Sequence, residues 1–208
     1  MSLSKIAIID YGMGNLRSVQ NALIQIGAAS EIVSQPETVY KYSKIILPGV
    51  GAFNEAVANL NRLGMTEALT EAKDSGVSVL GICLGMQLMC RSSEEDGFHQ
   101  GFGWIDASVQ RFPDQAEIKV PHIGWNDLTL RYPHYLVAGL PIHPDVYFVH
   151  SYRVKCADPT DVLATCNYGE DFTAMFAREN VMGIQFHPEK SQDIGLRILK
   201  NFVEHVTC

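Results

Sequence analysis

Short apolar runs rich in isoleucine and valine recur along the chain. They occupy residues 5–9, 31–33, 44–47, 77–82 and 181–186. The run at 77–82 contains almost no polar side chain, which is typical of a strand buried on both faces of a sheet. We therefore predict that these runs are strands at the centre of the protein.

Between and after these runs the apolar residues follow helical spacing instead. An apolar stripe runs from Leu16 to Ile26, a second from Phe53 to Lys73 with a break expected near Gly64, and a third covers residues 194–206. Strands that alternate with amphipathic helices predict an α/β fold with a doubly wound, mostly parallel sheet and flanking helices.

The pattern changes between residues 97 and 180. Aromatic-rich, strand-like pieces at residues 102–104, 125–130 and 146–154 are joined by turns that contain proline and glycine. We interpret them as antiparallel strands added to the parallel sheet. Without a linker or repeat, residues 1–208 are expected to form one domain.

Glycine-bearing loops follow the first and third predicted strands. Asp10–Asn15 precedes a helix that Asn15 is expected to cap, and Pro48, which should end its strand, opens the loop Pro48–Phe53. Gly49 and Gly51 permit backbone conformations that turn peptide N–H groups toward a substrate oxygen. A plain strand-to-helix turn is the alternative reading of this loop.

The fourth strand leads into the segment Gly81-Ile-Cys83-Leu-Gly85, directly before a helix-prone segment. Gly-x-Cys-x-Gly between a strand and a helix is the sulfur counterpart of a nucleophile elbow. At such a turn the side chain points into open space, and the following N–H groups favour a thiolate. A buried structural cysteine is the competing interpretation.

His187-Pro188-Glu189 follows the last strand. Residues two apart in an extended chain project to the same side, so the imidazole and the carboxylate can face one site or each other. A cysteine nucleophile needs a base, and the base needs an orienting carboxylate. Cys83, His187 and Glu189 are therefore predicted to form a catalytic triad.

The Cys83 and His187-Pro-Glu189 motifs resemble those of the class I (triad) glutamine amidotransferases. Three further segments resemble the glutaminase subunits of imidazole glycerol phosphate synthase more narrowly: Asp10–Leu16, Val120–Asn126 and Tyr147–Tyr152. The resemblance implies that Cys83 attacks the carboxamide of glutamine to form a γ-glutamyl thioester.

Further roles are implied by the same resemblance. Peptide N–H groups of Val50, Gly51 and Leu84 would form the oxyanion hole. The substrate would be held by Gln87, Ser151, Tyr152 and Glu95, with the adjacent Glu94 as an alternative to Glu95. The ammonia would pass to a separate (β/α)8-barrel synthase subunit in a heterodimer. The face of this chain that binds the synthase subunit is expected near Asn15, Arg17, His122, Trp125 and Tyr147.

Composition limits the partners, the cofactors and the cellular location that can be expected. The 208 residues carry a formal net charge of −7, which gives no electrostatic reason to expect nucleic acid or an anionic membrane as a partner. No signal peptide or bilayer-spanning run is evident. The cysteines are odd in number and lack a Cys-x-x-Cys pair, which argues against disulfides and zinc: Cys83, Cys90, Cys156, Cys166 and Cys208. We expect a cytoplasmic protein with no metal or cofactor.

Other functions stay open at this level. The chain could serve another triad amidotransferase from the anthranilate, purine or pyridoxal-phosphate pathways, or act as a free-standing γ-glutamyl hydrolase. It could also be a cysteine peptidase on a similar sheet, or a non-catalytic binding module that kept the fold.

Overall fold

The computed structural model describes residues 5–113 and 118–205. The helices within them are α1 (Leu16–Gln25), α2 (Phe53–Arg62), α3 (Met65–Asp74), α4 (Leu84–Leu88) and α5 (Gln192–Glu204). The first seven strands are β1 (Ile6–Ile9), β2 (Ser30–Val33), β3 (Lys44–Gly49), β4 (Ser78–Cys83), β5 (Cys90–Ser93), β6 (His99–Gln100) and β7 (Ile105–Arg111). The others are β8 (His122–Asp127), β9 (Thr129–Leu130), β10 (Asp145–His150), β11 (Tyr152–Cys156), β12 (Val162–Tyr168), β13 (Glu170–Arg178) and β14 (Val181–Ile184).

One large sheet organises the described residues. Its strands lie in the order β2-β1-β3-β4-β14-β13-β11-β7-β5-β6, with β12 and β9 continuing from β13. The first five strands in this order are parallel to one another. From β13 onward neighbouring strands are antiparallel, except for β7 and β5, which are parallel. A separate antiparallel pair is formed by β8 and β10. The predicted α/β fold, with a mostly parallel core and antiparallel additions from the second half, is confirmed.

Helices cover both faces of the parallel part, as a doubly wound sheet requires. On one face, Leu23 of α1 and Ile198 and Phe202 of α5 are fully buried against the sheet. On the other face, Leu60 of α2 and Leu69 of α3 are fully buried. Because helices cover both faces, β1, β3 and β4 are buried along their whole length and read as continuous apolar runs.

The predicted helix break near Gly64 is confirmed, since α2 ends at Arg62 and Gly64 has a φ of +68° before α3. The expected final helix extends in the structure from Gln192 to Glu204, while Val206 lies outside the described residues, as does Cys208. No helix within the described ranges is long and apolar enough to cross a membrane.

Pro48 does not end its strand, which corrects the prediction. β3 pairs with β4 through Pro48 and Gly49, the latter opposite Cys83. Pairing between β3 and β1 has already stopped at Ile46. A proline lacks only its N–H, so it is tolerated where the neighbouring strand on one side has ended.

Three other local predictions were wrong. Residues 102–104 form a loop, and the strand starts only at Ile105. The piece 146–154 is two strands, interrupted at Ser151. Asn15 makes no side-chain cap to the α1 backbone, because its Oδ1 accepts a hydrogen bond of 2.9 Å from the Ser18 hydroxyl instead.

Candidate active site

Cys83 occupies a sharp turn between β4 and α4, with no residue between the strand and the helix. Its φ is +54°, a conformation that residues with a side chain adopt at a cost of about 1–3 kcal/mol. The flanking glycines make the turn sterically feasible. A Cβ added to Gly85 would lie 1.8 Å from the Leu47 carbonyl oxygen, and one added to Gly81 would lie 2.6 Å from the Met86 nitrogen. Close packing around the turn thus keeps Cys83 in its strained conformation, as in a nucleophile elbow.

His187 and Glu189 form a buried pair just beyond the end of β14. Nδ1 of His187 lies 2.8 Å from Oε1 of Glu189, and the two side chains are only 4% and 1% exposed. Since the carboxylate holds the proton on Nδ1, Nε2 is the ring nitrogen left to exchange a proton. Nε2 has no hydrogen-bond partner among the described residues.

The pKa of His187 is raised above its usual value. Burial alone would lower it, but the contacts with Cys83 and Glu189 outweigh burial. The imidazolium is therefore favoured beside the cysteine, and the proton can already rest on His187 when the sulfur is a thiolate.

Cys83 and His187 both line one cavity of about 360 Å³. This volume is in the range of small-molecule sites. The wall is completed by residues from the loop after β3, α4, the hairpin after β5, the residue before β8, the junction of β10 and β11, and the segment after β14: Val50, Gly51, Leu84, Gln87, Glu95, Pro121, Val149, His150, Ser151, Tyr152 and Lys190.

Two glutamine side chains reach from the cavity wall to the sulfur. Nε2 of Gln87 donates to the Tyr152 carbonyl at 3.1 Å and to Oε1 of Gln185 at 3.0 Å. Nε2 of Gln185 in turn donates to Sγ of Cys83 at 3.6 Å. Gln185 is fully buried, and the only signal for it in the sequence is a polar residue at the end of an apolar strand.

Two buried histidines lie next to each other at the cavity, of which His150 lines the wall. Nδ1 of His150 lies 2.7 Å from the Tyr152 carbonyl oxygen, so Nδ1 carries a proton. Nε2 of His150 must then accept from Nδ1 of His122, 3.1 Å away. Burial lowers the pKa of His122 to about 4 and that of His150 to about 3, so both rings are neutral near pH 7.

Similarity to known proteins identifies the family. The family model described as glutamine amidotransferase class-I matches residues 7–206. The chain belongs to the class I glutamine amidotransferase family. It is 48% identical over 202 residues to imidazole glycerol phosphate synthase subunit HisH of Syntrophotalea carbinolica, covering 95% of this chain and 98% of that one. The HisH subunit of Methanosarcina barkeri is also 48% identical, over 97% of this chain and 99% of its own.

Solved structures agree on the fold. A putative GMP synthase component from Thermoplasma acidophilum matches with a TM-score of 0.73 at 19% identity, over 98% of this chain and 94% of that one. PurLQS from Thermotoga maritima matches with a TM-score of 0.74 at 17% identity, over 96% of this chain and 97% of that one. At such low identity the likeness concerns the amidotransferase fold alone.

The structure brings the predicted triad and substrate residues to one place. Cys83 and His187 line the cavity, and Glu189 lies behind His187. The residues predicted for the oxyanion hole and for substrate binding all line it too: Val50, Gly51, Leu84, Gln87, Glu95, Ser151 and Tyr152.

The structure distinguishes the two neighbouring glutamates. Glu95 lines the cavity, and its Oε2 accepts from the Phe53 N–H at 2.8 Å. Burial raises the pKa of the Glu95 carboxyl. Glu94 does not line this cavity, and it accepts from the Arg111 N–H at 2.6 Å instead. Glu95 is therefore the glutamate placed to meet a ligand.

Four of the five residues expected at a partner interface reach the surface to some degree. Asn15 and Arg17 are exposed, Trp125 is 44% exposed, and Tyr147 is partly buried beside it, with ring centroids 6.0 Å apart. The structure corrects the prediction that His122 lies at the partner interface. The residue is 2% exposed and its ring stacks on Phe148 and Tyr168, so it belongs to the interior.

Within the described parts of the chain, no group of three or more His, Cys, Asp or Glu side chains is placed to hold a metal ion. The chemistry available to the site from its own residues is acyl transfer. A sulfur on a strained turn, an imidazole beside it and a carboxylate behind the imidazole supply a nucleophile, an acid–base group and an orienting group.

Proposed function

We propose that this chain hydrolyses glutamine to glutamate and ammonia, and that the ammonia serves imidazole glycerol phosphate synthase in histidine biosynthesis. The observation that carries the chemical part is the buried His187–Glu189 pair facing the same cavity as Cys83. The biological part rests on the 48% identity to HisH subunits over nearly the whole of both chains.

The reaction starts with the Cys83 thiolate attacking the carboxamide carbon of glutamine, while His187 holds the proton. His187 then gives that proton to the leaving ammonia, and a γ-glutamyl thioester remains. Water attacks the thioester, with His187 as the base, and glutamate leaves. Glu189 keeps Nε2 of the ring directed at these transfers.

The developing oxyanion needs hydrogen-bond donors. The N–H of Leu84 is the first after the nucleophile, and the segment Val50-Gly51 lies on the same cavity. Gly49 is paired with Cys83 across β3 and β4, so the loop that follows β3 starts level with the sulfur. Each such donor contributes roughly a hundredfold or more to the rate.

The amino-acid end of glutamine fits the other side of the cavity. The carboxylate of Glu95 suits the α-amino group, and the Ser151–Tyr152 segment offers polar groups for the α-carboxylate. Both hydrogens of Gln87 Nε2 are already donated within the protein. Gln87 can therefore contribute to substrate binding only through Oε1, as a hydrogen-bond acceptor.

The ammonia is delivered to a separate synthase subunit, proposed to be a (β/α)8 barrel that forms a heterodimer with this chain in the cytoplasm. Exposed apolar side chains near the cavity support docking there. Val50, which lines the cavity, is 43% exposed, and Ile123, which pairs with the cavity-lining Val149, is 59% exposed. Trp125, on the same strand as Ile123, is 44% exposed, and such exposed apolar surface suits an interface. Asn15 and Arg17 extend the proposed docking face.

The test is an assay of purified Cys83→Ala protein in complex with the synthase subunit. Synthesis driven by glutamine should vanish, whereas synthesis from added ammonium should persist. Cys156→Ala is the matched control, because Cys156 does not line the cavity and should leave both activities intact. Glutamate release by the Cys83→Ala complex at the parent rate would refute the proposal.

The same assay separates the rival functions. A free-standing hydrolase would release glutamate at the full rate when no synthase subunit is present. In contrast, a binding module would release none under any condition, and its Cys83 would resist a glutamine-like electrophile.

A further inference from the structure

We propose that Gln185 is a further catalytic residue: its side-chain amide donates to the Cys83 sulfur and stabilises the thiolate, in an orientation imposed by Gln87. The inference rests on the proposed glutaminase function for its biological meaning. Its physical content, the reactivity of one sulfur, can be tested without that function.

The sheet register places Gln185 beside the nucleophile. β14 and β4 are parallel neighbours, and Ile184 pairs with Ile82. Gln185, the first residue after β14, and Cys83, the last residue of β4, come next and therefore lie side by side. His187 follows two residues after Gln185, beyond a bend at Gln185 and Phe186, and lines the same cavity as Cys83. A single segment thus directs both an amide and an imidazole at one sulfur.

The hydrogen bonds determine which way each amide points. A carbonyl oxygen only accepts, so the Gln87 atom 3.1 Å from the Tyr152 oxygen must be the nitrogen. That nitrogen has a second hydrogen, directed at Gln185 3.0 Å away, so the Gln185 atom there must be the oxygen. The NH2 group of Gln185 is left facing Cys83, 3.6 Å from the sulfur. If the Gln185 amide were reversed, two donors would face each other and an oxygen would face the thiolate.

The location makes this hydrogen bond effective. Gln185 is fully buried and Gln87 is 5% exposed, so water does not compete for the amide. The Tyr152 carbonyl also receives the His150 ring N–H at 2.7 Å, and both of its acceptor sites are thus engaged. Gln87 cannot rotate without leaving buried polar groups unpaired, so the Gln185 amide is held before any substrate arrives.

The alternative is that Gln185 only fills polar space in the core. The two roles differ in what they predict for Cys83. A donor to the sulfur favours the thiolate over the thiol and raises its reactivity at neutral pH, whereas a core-filling residue affects stability alone.

The experiment measures alkylation of Cys83 by iodoacetamide between pH 5 and pH 10. The modified peptide is identified by mass spectrometry so that the other cysteines do not contribute. Gln185→Met keeps the length of the side chain and removes the donor. Gln185→Glu keeps an acceptor for Gln87 but places a carboxylate against the sulfur. Gln100→Met, at an exposed position on β6, is the control for the substitution itself.

We expect Gln185→Met to slow alkylation at pH 7 by roughly 10- to 100-fold, the effect of losing one hydrogen bond to a charged group. The rate should approach that of the parent at high pH, where the thiolate forms without help. Gln185→Glu should be slower still at pH 7, and Gln100→Met should be unchanged. In the complex, kcat for glutamine should fall by a similar factor, with KM changed less than about threefold.

Unchanged alkylation rates in either folded variant would overturn the proposal. So would a loss of thermal stability with the same pH profile as the parent, since that is the result of a core-filling role. If Gln185→Met does not fold, Gln185→Leu, which also removes the donor without adding a charge, takes its place. A parent protein that shows the pH effect but hydrolyses no glutamine would refute the proposed function and leave this inference standing.

Discussion

Replacing Glu189 by glutamine removes the charge behind His187 and changes little else. The amide oxygen can still accept from Nδ1, so the ring keeps its orientation. The parent pair is short, at 2.8 Å, and both side chains are almost fully buried. A hydrogen bond to a charged group contributes roughly 1.5–3 kcal/mol under these conditions. We therefore expect kcat for glutamine to fall between about 10- and 100-fold.

The pH dependence gives a sharper test. Contacts with Cys83 and Glu189 outweigh burial and raise the pKa of His187, so the imidazolium that protonates the leaving ammonia persists to higher pH. Without the Glu189 charge, that pKa falls back toward its ordinary value. The alkaline limb of the kcat profile should therefore move to lower pH in Glu189→Gln.

The raised pKa of His187 also makes the free energy of unfolding depend on pH, in a direction that follows from the direction of the pKa shift. A folded-state pKa above the unfolded value stabilises the protein fully below about pH 6.5, and the contribution is lost as pH rises through the raised folded-state pKa. Glu189→Gln should weaken this dependence, measured by urea unfolding from about pH 6 upward.

The assay is glutamate release by the complex, with Glu204→Gln as the control. That substitution removes a carboxylate from an exposed pair with Lys200, and it should leave both profiles unchanged. The reasoning would be refuted by Glu189→Gln protein that keeps its kcat within about twofold of the parent and the same alkaline limb.

Three further substitutions test packing and docking. Gly85→Ala would place a methyl group 1.8 Å from the Leu47 carbonyl oxygen, and it should destabilise the protein by roughly 3 kcal/mol or more in denaturant unfolding; an unchanged midpoint would contradict the close packing at the elbow. Tyr11→Phe should be neutral or about 1 kcal/mol more stable, because the buried Tyr11 hydroxyl has no partner among the described residues; a clear loss of stability would contradict this. Trp125→Ala should weaken binding of the synthase subunit by roughly 10-fold or more in calorimetry, with the ammonium-driven rate of the saturated complex preserved; unchanged affinity would remove Trp125 from the docking face.

Much of the candidate site could be predicted from short sequence motifs, because its main residues interact with near neighbours in the sequence. The elbow around Cys83 needs glycines on both sides for steric reasons that concern neighbouring residues. His187 and Glu189 are two residues apart, and although Glu189 lies in a 3-10 helix over Pro188–Lys190 rather than in the extended chain that was predicted, their pairing is local and depends little on the remainder of the fold. The strands and helices of the parallel half were likewise readable, since strands buried on both faces show uninterrupted apolar runs.

Other features depended on contacts between segments far apart in the chain. Glu94 and Glu95 are chemically alike, and only the hairpin geometry turns one of them into the cavity. His122 was expected at a surface, but its ring is enclosed by aromatic side chains from two other strands.

The sequence by itself determined the α/β class and singled out the candidate nucleophile, base and orienting carboxylate, because periodicity encodes the class and short-range sterics encode the motifs. Only the tertiary structure decided that Gln185 meets the sulfur, because that contact arises from the register of two strands that are far apart in the chain. The fold also places the Gln87 and Gln185 amides against particular donors and acceptors, and these partners determine the direction of each hydrogen bond.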